Sequence, residues 1–310
     1  MDKSQANPIR EMILVARPRH WAKNSVVLLP VLFAMKIADP SAWFAAGLTL
    51  VAFCLASSFA YILNDIRDIE SDRRHPIKNT RPLAAGRLGI GTALVEAVGL
   101  LCAALVLSSA IRPMLLVIVG LYALLQTAYS LALKHRVLLD VIAIALGFVL
   151  RTVGGAVAIG VAISPWLFIC MFTLCLFMGF CKRYNELALF DDPRQAGSLR
   201  TTLLSYTPPL LTHLITVSAG IAVVGFLLYG LSDSTIEHFG TDYFVYTLPV
   251  MVYGVFRFAM LSMQGTYTDP TELFFRDRPF QATVVLWLAM AVAIIGWGKE
   301  LQGWFQTFIF

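Results

Sequence analysis

The chain has 310 residues, of which 58% are hydrophobic and only 14% charged, with a formal net charge of +5 and a mean hydropathy of +0.74. Ordinary soluble domains carry about a quarter charged residues, which argues against a water-soluble globular protein. The absence of a basic helix interleaved with aromatics argues against nucleic acid as a partner.

Nine apolar stretches are long enough to be read as bilayer spans: about 21–38, 41–63, 91–111, 114–133, 138–159, 165–180, 210–231, 244–263 and 283–298. The expected fold is therefore all-α and polytopic, one transmembrane catalytic domain over 1–310, with polar loops at 64–90 and 182–209. The polar start, residues 1–10, predicts no cleaved leader. Arg10, Arg17, Arg19 and Lys23, the loop 67–87, Lys134 with Arg136, the segment 182–200 and Arg276 with Arg278 all fall on one side. The other side holds Lys36, Arg112 and Lys299 with the acids Asp233, Glu237 and Asp242. By the positive-inside rule the amino terminus and both loops are cytoplasmic. Cys54, Cys102, Cys170, Cys175 and Cys181 lie in or beside apolar runs without paired metal-ligand spacing, so they read as free thiols.

Ahead of the first span stands Arg17-Pro18-Arg19-His20-Trp21-Ala22-Lys23-Asn24; a Trp flanked by cations is also what an interfacial anchor looks like. The second span ends in Asn64-Asp65-Ile66-Arg67-Asp68-Ile69-Glu70-Ser71-Asp72. At about 100° per residue, Asp65, Asp68 and Asp72 fall within roughly 60°, Asn64 widens the arc to about 100°, and Glu70 points away. Oxygen-only ligands at the water boundary suit Mg²⁺ carrying substrate phosphates, which points to a diphosphate handled at a membrane surface. Arg151 and Arg257 stand within or at the edge of spans, as functional candidates or as snorkelling helix-end residues. After the sixth span comes Lys182-Arg183-Tyr184-Asn185-Glu186, in which Lys182 and Glu186, four apart, also read as a simple ion pair. The loop 269–278 reads as solvated surface.

Taken together, three motifs resemble the UbiA-type intramembrane prenyltransferase superfamily: Asn64-Asp65-x-x-Asp68-x-x-x-Asp72, Arg81-Pro82-Leu83-Ala84-Ala85-Gly86-Arg87-Leu88, and Arg17-Pro-x-x-Trp21-x-Lys23-Asn24. The resemblance implies helices around a central cavity open to the cytoplasmic side. Ordinary members carry a second Asp-x-x-x-Asp motif; here its place is taken by Lys182-Arg183-Tyr184-x-Glu186-Leu187, with Asp191 and Asp192 following at another spacing. With Asp72-Arg73-x-His75-Pro76 and Leu133-Lys134-His135, the pattern is similar to the decaprenyl-phosphate phosphoribosyltransferase branch.

That branch implies transfer of 5-phosphoribose from phosphoribosyl pyrophosphate to a polyprenyl phosphate lipid, in a bacterial cytoplasmic membrane, feeding arabinan for the cell wall. The implied roles are Mg²⁺ on Asn64, Asp65, Asp68 and Asp72; Glu186 as a second metal contact or ribose hydroxyl acceptor; and Lys134, Lys182, Arg183, Arg73 and Arg81 on donor phosphates. Arg19 and Lys23, with Trp21, are expected at the acceptor phosphate, and the prenyl tail in a groove open to lipid. A true prenyltransferase acting on an aromatic acceptor, and a transporter with Arg151 and Arg257 on its pathway, are the competing readings. Oligomeric state is not legible from one chain.

Overall fold

The computed structural model describes residues 7–75, 77–188, 201–265, 272–273 and 276–309, and among them only helices and turns. Among the described residues eight helices are long and apolar enough to cross a membrane, and the chain is a multi-pass membrane protein. Several begin on a proline, whose missing N–H costs nothing in the first turn. The chain divides into two compact units, Met1–Lys134 with Leu150–Ala162, and His135–Val149 with Ile163–Phe310.

The first unit opens with α1 (Pro8–Ala16) and a 3-10 helix (Pro18–Leu28), which runs into the short α2 (Leu29–Phe33). Here an unbroken span over 21–38 was expected. Its polar residues and Pro30 instead leave 11 residues wound as 3-10 and 5 as α. At about 2.0 and 1.5 Å per residue the two reach about 30 Å, the thickness of a bilayer core. α3 (Pro40–Arg67) follows, its first turn capped by Asp39, which accepts from the Ser41 and Ala42 amides at 2.9 and 3.3 Å. Then come α4 (Ile69–Arg74), α5 (Ile90–Ile111) and α6 (Pro113–Leu131). α5 turns Ala93, Ala97, Ala104 and Ser108 inward, and such small residues let it lie close against α3. α7 (Leu139–Ala158) begins in the second unit and ends in the first.

The second unit continues with α8 (Pro165–Ala188), α9 (Pro208–Leu231), α10 (Asp233–Phe239), α11 (Leu248–Met263) and α12 (Arg278–Ile309). α8 outruns the expected 165–180, so Lys182 to Glu186 form its last turns rather than the start of a loop. Phe177, Phe180, Leu203, Tyr206, Leu211, Phe258 and Phe280 make the core of this unit. The five cysteines are free thiols, all buried except Cys102.

Candidate active site at the end of α3

The polar end of α3 is built by a helix that almost continues. Asp68 sits at φ −95°, ψ 8°, between α3 and α4. The Asp68 amide still bonds the Asn64 carbonyl at 3.0 Å and the Asp72 amide the Asp68 carbonyl at 2.8 Å. The helical spacing of the four expected ligands is thereby kept, and the acids meet cations from three other segments.

Asp65, buried, pairs with Arg17 and with Arg81, whose Nη1 lies 3.1 Å from Oδ1; the same Nη1 lies 2.5 Å from Asp72 Oδ2. Lys134 Nζ reaches both Asp68 oxygens at 2.6 and 2.7 Å and Asn64 Oδ1 at 3.1 Å. The four predicted ligands thus fall into two pairs, each sharing a cation. Among the described residues no three His, Cys, Asp or Glu side chains form a ready metal cluster.

Arg81 is presented by a tight turn. Ala85 N bonds Arg81 O at 2.8 Å and Arg87 N bonds Pro82 O at 2.9 Å. Gly86 takes φ +70°, which a side chain would resist. Leu83 and Leu88 anchor the turn in a cluster with Ile62 and Ile69, and Arg87 Nε bonds the buried Glu11 at 2.9 Å. Arg73, expected at donor phosphates, points elsewhere: it is exposed, bonding Glu70 at 3.0 Å and the Ala84 carbonyl at 3.3 Å. Arg17 was not among the residues expected at the site, although it heads the first motif; its guanidinium also lies 5.2 Å from the Tyr61 ring centre.

The 3-10 helix shows its winding in its burial. Asn24, Val27 and Pro30 are buried on the strip that Trp21 begins, Arg19, Ala22 and Ser25 are exposed, and His20, Lys23 and Val26 lie between, a period of three. The inward strip runs along α3: Trp21 Nε1 donates to Ser58 Oγ at 3.0 Å, and Asn24 Nδ2 to Ser57 Oγ at 3.0 Å and Cys54 Sγ at 3.3 Å. Arg19 and Lys23, expected as partners, stand about 120° apart on this winding, and His20 and Lys23 line up instead. Trp21 faces α3. Arg151, far from snorkelling, is buried in the first unit with Asn24 and Tyr122.

In the second unit the last turns of α8 carry charge differently. Arg183, expected at donor phosphates, is buried, with Nε 3.1 Å from Asp140 Oδ2 and a second pairing to Glu186. Among the described residues Arg183, three positions before Glu186, forms an ion pair with it on this helix. Asp140 is wholly buried and accepts from the Tyr206 hydroxyl at 3.0 Å; that hydroxyl accepts from Leu138 N at 2.9 Å, where φ is +66°. Burial pushes the Tyr206 phenol up, and Asp140 adds to the shift. Lys182 is half-buried. Arg257 grips Asp277 at 2.6 and 2.8 Å and holds that carboxyl below the usual carboxylate range. Asp191 and Asp192 lie outside the described residues, as do Pro76 and residues 269–271, 274 and 275 of the loop 269–278.

The chain is 33% identical over 301 residues to a decaprenyl-phosphate phosphoribosyltransferase of Mycolicibacterium smegmatis, covering 93% of each protein. A decaprenyl-phosphate phosphoribosyltransferase of Corynebacterium glutamicum is 32% identical over 92% of this chain and 87% of its own length. The fold matches a UbiA homologue from Archaeoglobus fulgidus solved with GPP and Mg²⁺, at TM-score 0.71 and 19% identity, covering 92% of this chain and 99% of that one. The UbiA prenyltransferase family model matches residues 27–275, and the chain belongs to that family.

Proposed function

We propose that this protein is a polyprenyl-phosphate phosphoribosyltransferase, moving 5-phosphoribose from phosphoribosyl pyrophosphate to a polyprenyl phosphate and releasing pyrophosphate. The activity rests on its similarity to the two actinobacterial enzymes. The observation that carries the site is the interleaving of carboxylates and cations at the end of α3: Asp65 with Arg17 and Arg81, Asp72 with Arg81, Asp68 with Lys134. Acids alone would suit a metal and cations alone a phosphate. Both together suit a diphosphate accompanied by a divalent metal: the carboxylates would hold the metal, and the cations the phosphate oxygens.

The donor set fits Mg²⁺, which is held by one or two carboxylates and completes its shell with water and substrate phosphate. Asp65 and Asp72, which converge on the Arg81 guanidinium, are the pair to hold it, with Asn64 and Asp68 beside them. When bound, Mg²⁺ neutralises charge on the departing diphosphate. The chain's own residues do the rest. Arg81 and Lys134 receive diphosphate oxygens as the bond between ribose C1 and the pyrophosphate oxygen breaks. A lipid phosphate oxygen, already ionised at neutral pH, forms the new bond to C1, so no general base is needed. Lys23 holds that acceptor phosphate. Arg183, enclosed by Asp140 and Glu186, positions the helix end rather than touching substrate. The excess of Lys and Arg on one side supports a location for this chemistry on the cytoplasmic face of a bacterial membrane.

The test is a partition assay with phosphoribosyl pyrophosphate labelled in its ribose. Label entering the organic phase with polyprenyl phosphate and Mg²⁺ present is the expected result. Label staying aqueous while an isoprenyl diphosphate is consumed would move the protein to prenyl transfer.

A further inference from the structure

A guanidinium about 18 Å along α7 from its first residue is costly unless it faces the protein interior and is paired there. Arg151 Nε donates to Asn24 Oδ1 at 2.6 Å and Nη2 to the Tyr122 hydroxyl at 2.7 Å, with the guanidinium 4.7 Å from the Tyr122 ring centre. Asn24 is used at both ends, its Nδ2 donating to Ser57 and Cys54 on α3. One side chain thereby fastens the 3-10 helix, α3, α6 and α7 at a single level.

That fastening bears on a helix that needs it. Runs of 3-10 longer than three or four residues are uncommon because their hydrogen bonds are poorer, yet this one has 11 residues. Three restraints act on the inward strip: Trp21 on Ser58, Asn24 on Ser57 and Cys54, and the Val27 carbonyl against Gly155, where any Cβ would collide; on the neighbouring line the His20 ring lies 5.3 Å from that of Tyr61 on α3. Arg151 is the charged restraint reaching that strip from α7. In the 3-10 winding His20 and Lys23 form a line; rewound as an α-helix they would stand about 60° apart.

We infer that Arg151 is a positioning residue for the acceptor: through Asn24 it holds the 3-10 winding that sets where Lys23 meets the lipid phosphate. This rests on the transfer reading above.

The test uses the full chain in membranes. Arg151→Gln is expected to raise KM for polyprenyl phosphate about tenfold while kcat and KM for phosphoribosyl pyrophosphate stay within about twofold. Arg151→Lys is expected to recover part of the loss, since one ammonium reaches Asn24 but not Tyr122 as well. Tyr122→Phe, which removes a single hydroxyl, is expected to shift the same KM less and serves if Arg151→Gln does not accumulate. Cys54, buried beside Asn24, reports without catalysis: N-ethylmaleimide labelling of Cys54, followed by peptide mass spectrometry, should quicken severalfold in Arg151→Gln. A wild-type labelling rate, or a fall in kcat at unchanged acceptor KM, overturns the inference. Absence of transfer by the wild-type chain would sink the functional reading alone, and the Cys54 rate would still decide the clamp.

Discussion

At the end of α3 the helix supplies carboxylates and cations arrive from three other segments; at the end of α8 the helix supplies the cation and carboxylates close around it. The first arrangement is wet on its cation side and at Asp68, with Arg17, Arg81, Lys134 and Asp68 exposing 19, 25, 11 and 27% of their side chains, while Asp65 and Asp72 expose 2 and 5%. The second is dry, with Arg183 and Asp140 at 1 and 0%. Water decides what each is for. Pairs that solvent reaches gain little from each other and exchange partners readily when a charged ligand arrives. A dry pair is held by the cost of leaving either charge alone. Binding belongs to the α3 end and architecture to the α8 end.

Substitutions separate the two. Asp65→Ala removes the carboxylate shared by Arg17 and Arg81 and is expected to cut transfer by about a thousandfold, or roughly 4 kcal/mol of barrier, while the chain still inserts in membranes; retained turnover would break the contrast at its strongest point. Arg183→Met strands Asp140 and is expected to destabilise by about 3–5 kcal/mol, read as a lowered Tm; an unchanged Tm with a raised donor KM would make Arg183 a ligand after all. Arg257→Ala, which breaks an intermediate, half-wet pair, should cost about 1–2 kcal/mol. Its partner Asp277 is held below the usual carboxylate range, so the pair's contribution is complete at neutral pH. It is lost only as pH falls through that lowered value. The Tm gap between wild type and Asp277→Asn should therefore stay constant from neutral to alkaline pH and close only in acid. Arg73→Ala, at an exposed pair with Glu70, should change stability by less than about 0.5 kcal/mol and leave transfer unaltered.

The spans and the acidic helix end were legible because both are patterns along one segment: long apolar runs, and oxygen ligands at helical spacing where a run stops. What escaped depends on a partner or on a winding. Arg17 joins Asp65 from 48 residues away, and nothing in its own neighbourhood announces that. Asp140 looks like an acid in the first turn of a span, yet it closes over Arg183 and Tyr206. Arg19 and Lys23 share a face in an α-helix and part in a 3-10 helix. Only the strip that Trp21 begins, buried at Asn24, Val27 and Pro30, discloses which winding the chain adopts.

The contrast between the two ends is tested most directly by thermal unfolding of the wild type, Arg81→Gln and Arg183→Gln, each with and without magnesium phosphoribosyl pyrophosphate. The account predicts that Arg81→Gln keeps the wild-type Tm and loses the rise produced by donor, whereas Arg183→Gln starts from a lower Tm and still rises. The reverse pattern, a fragile Arg81→Gln that responds to donor and a sturdy Arg183→Gln that does not, would contradict it.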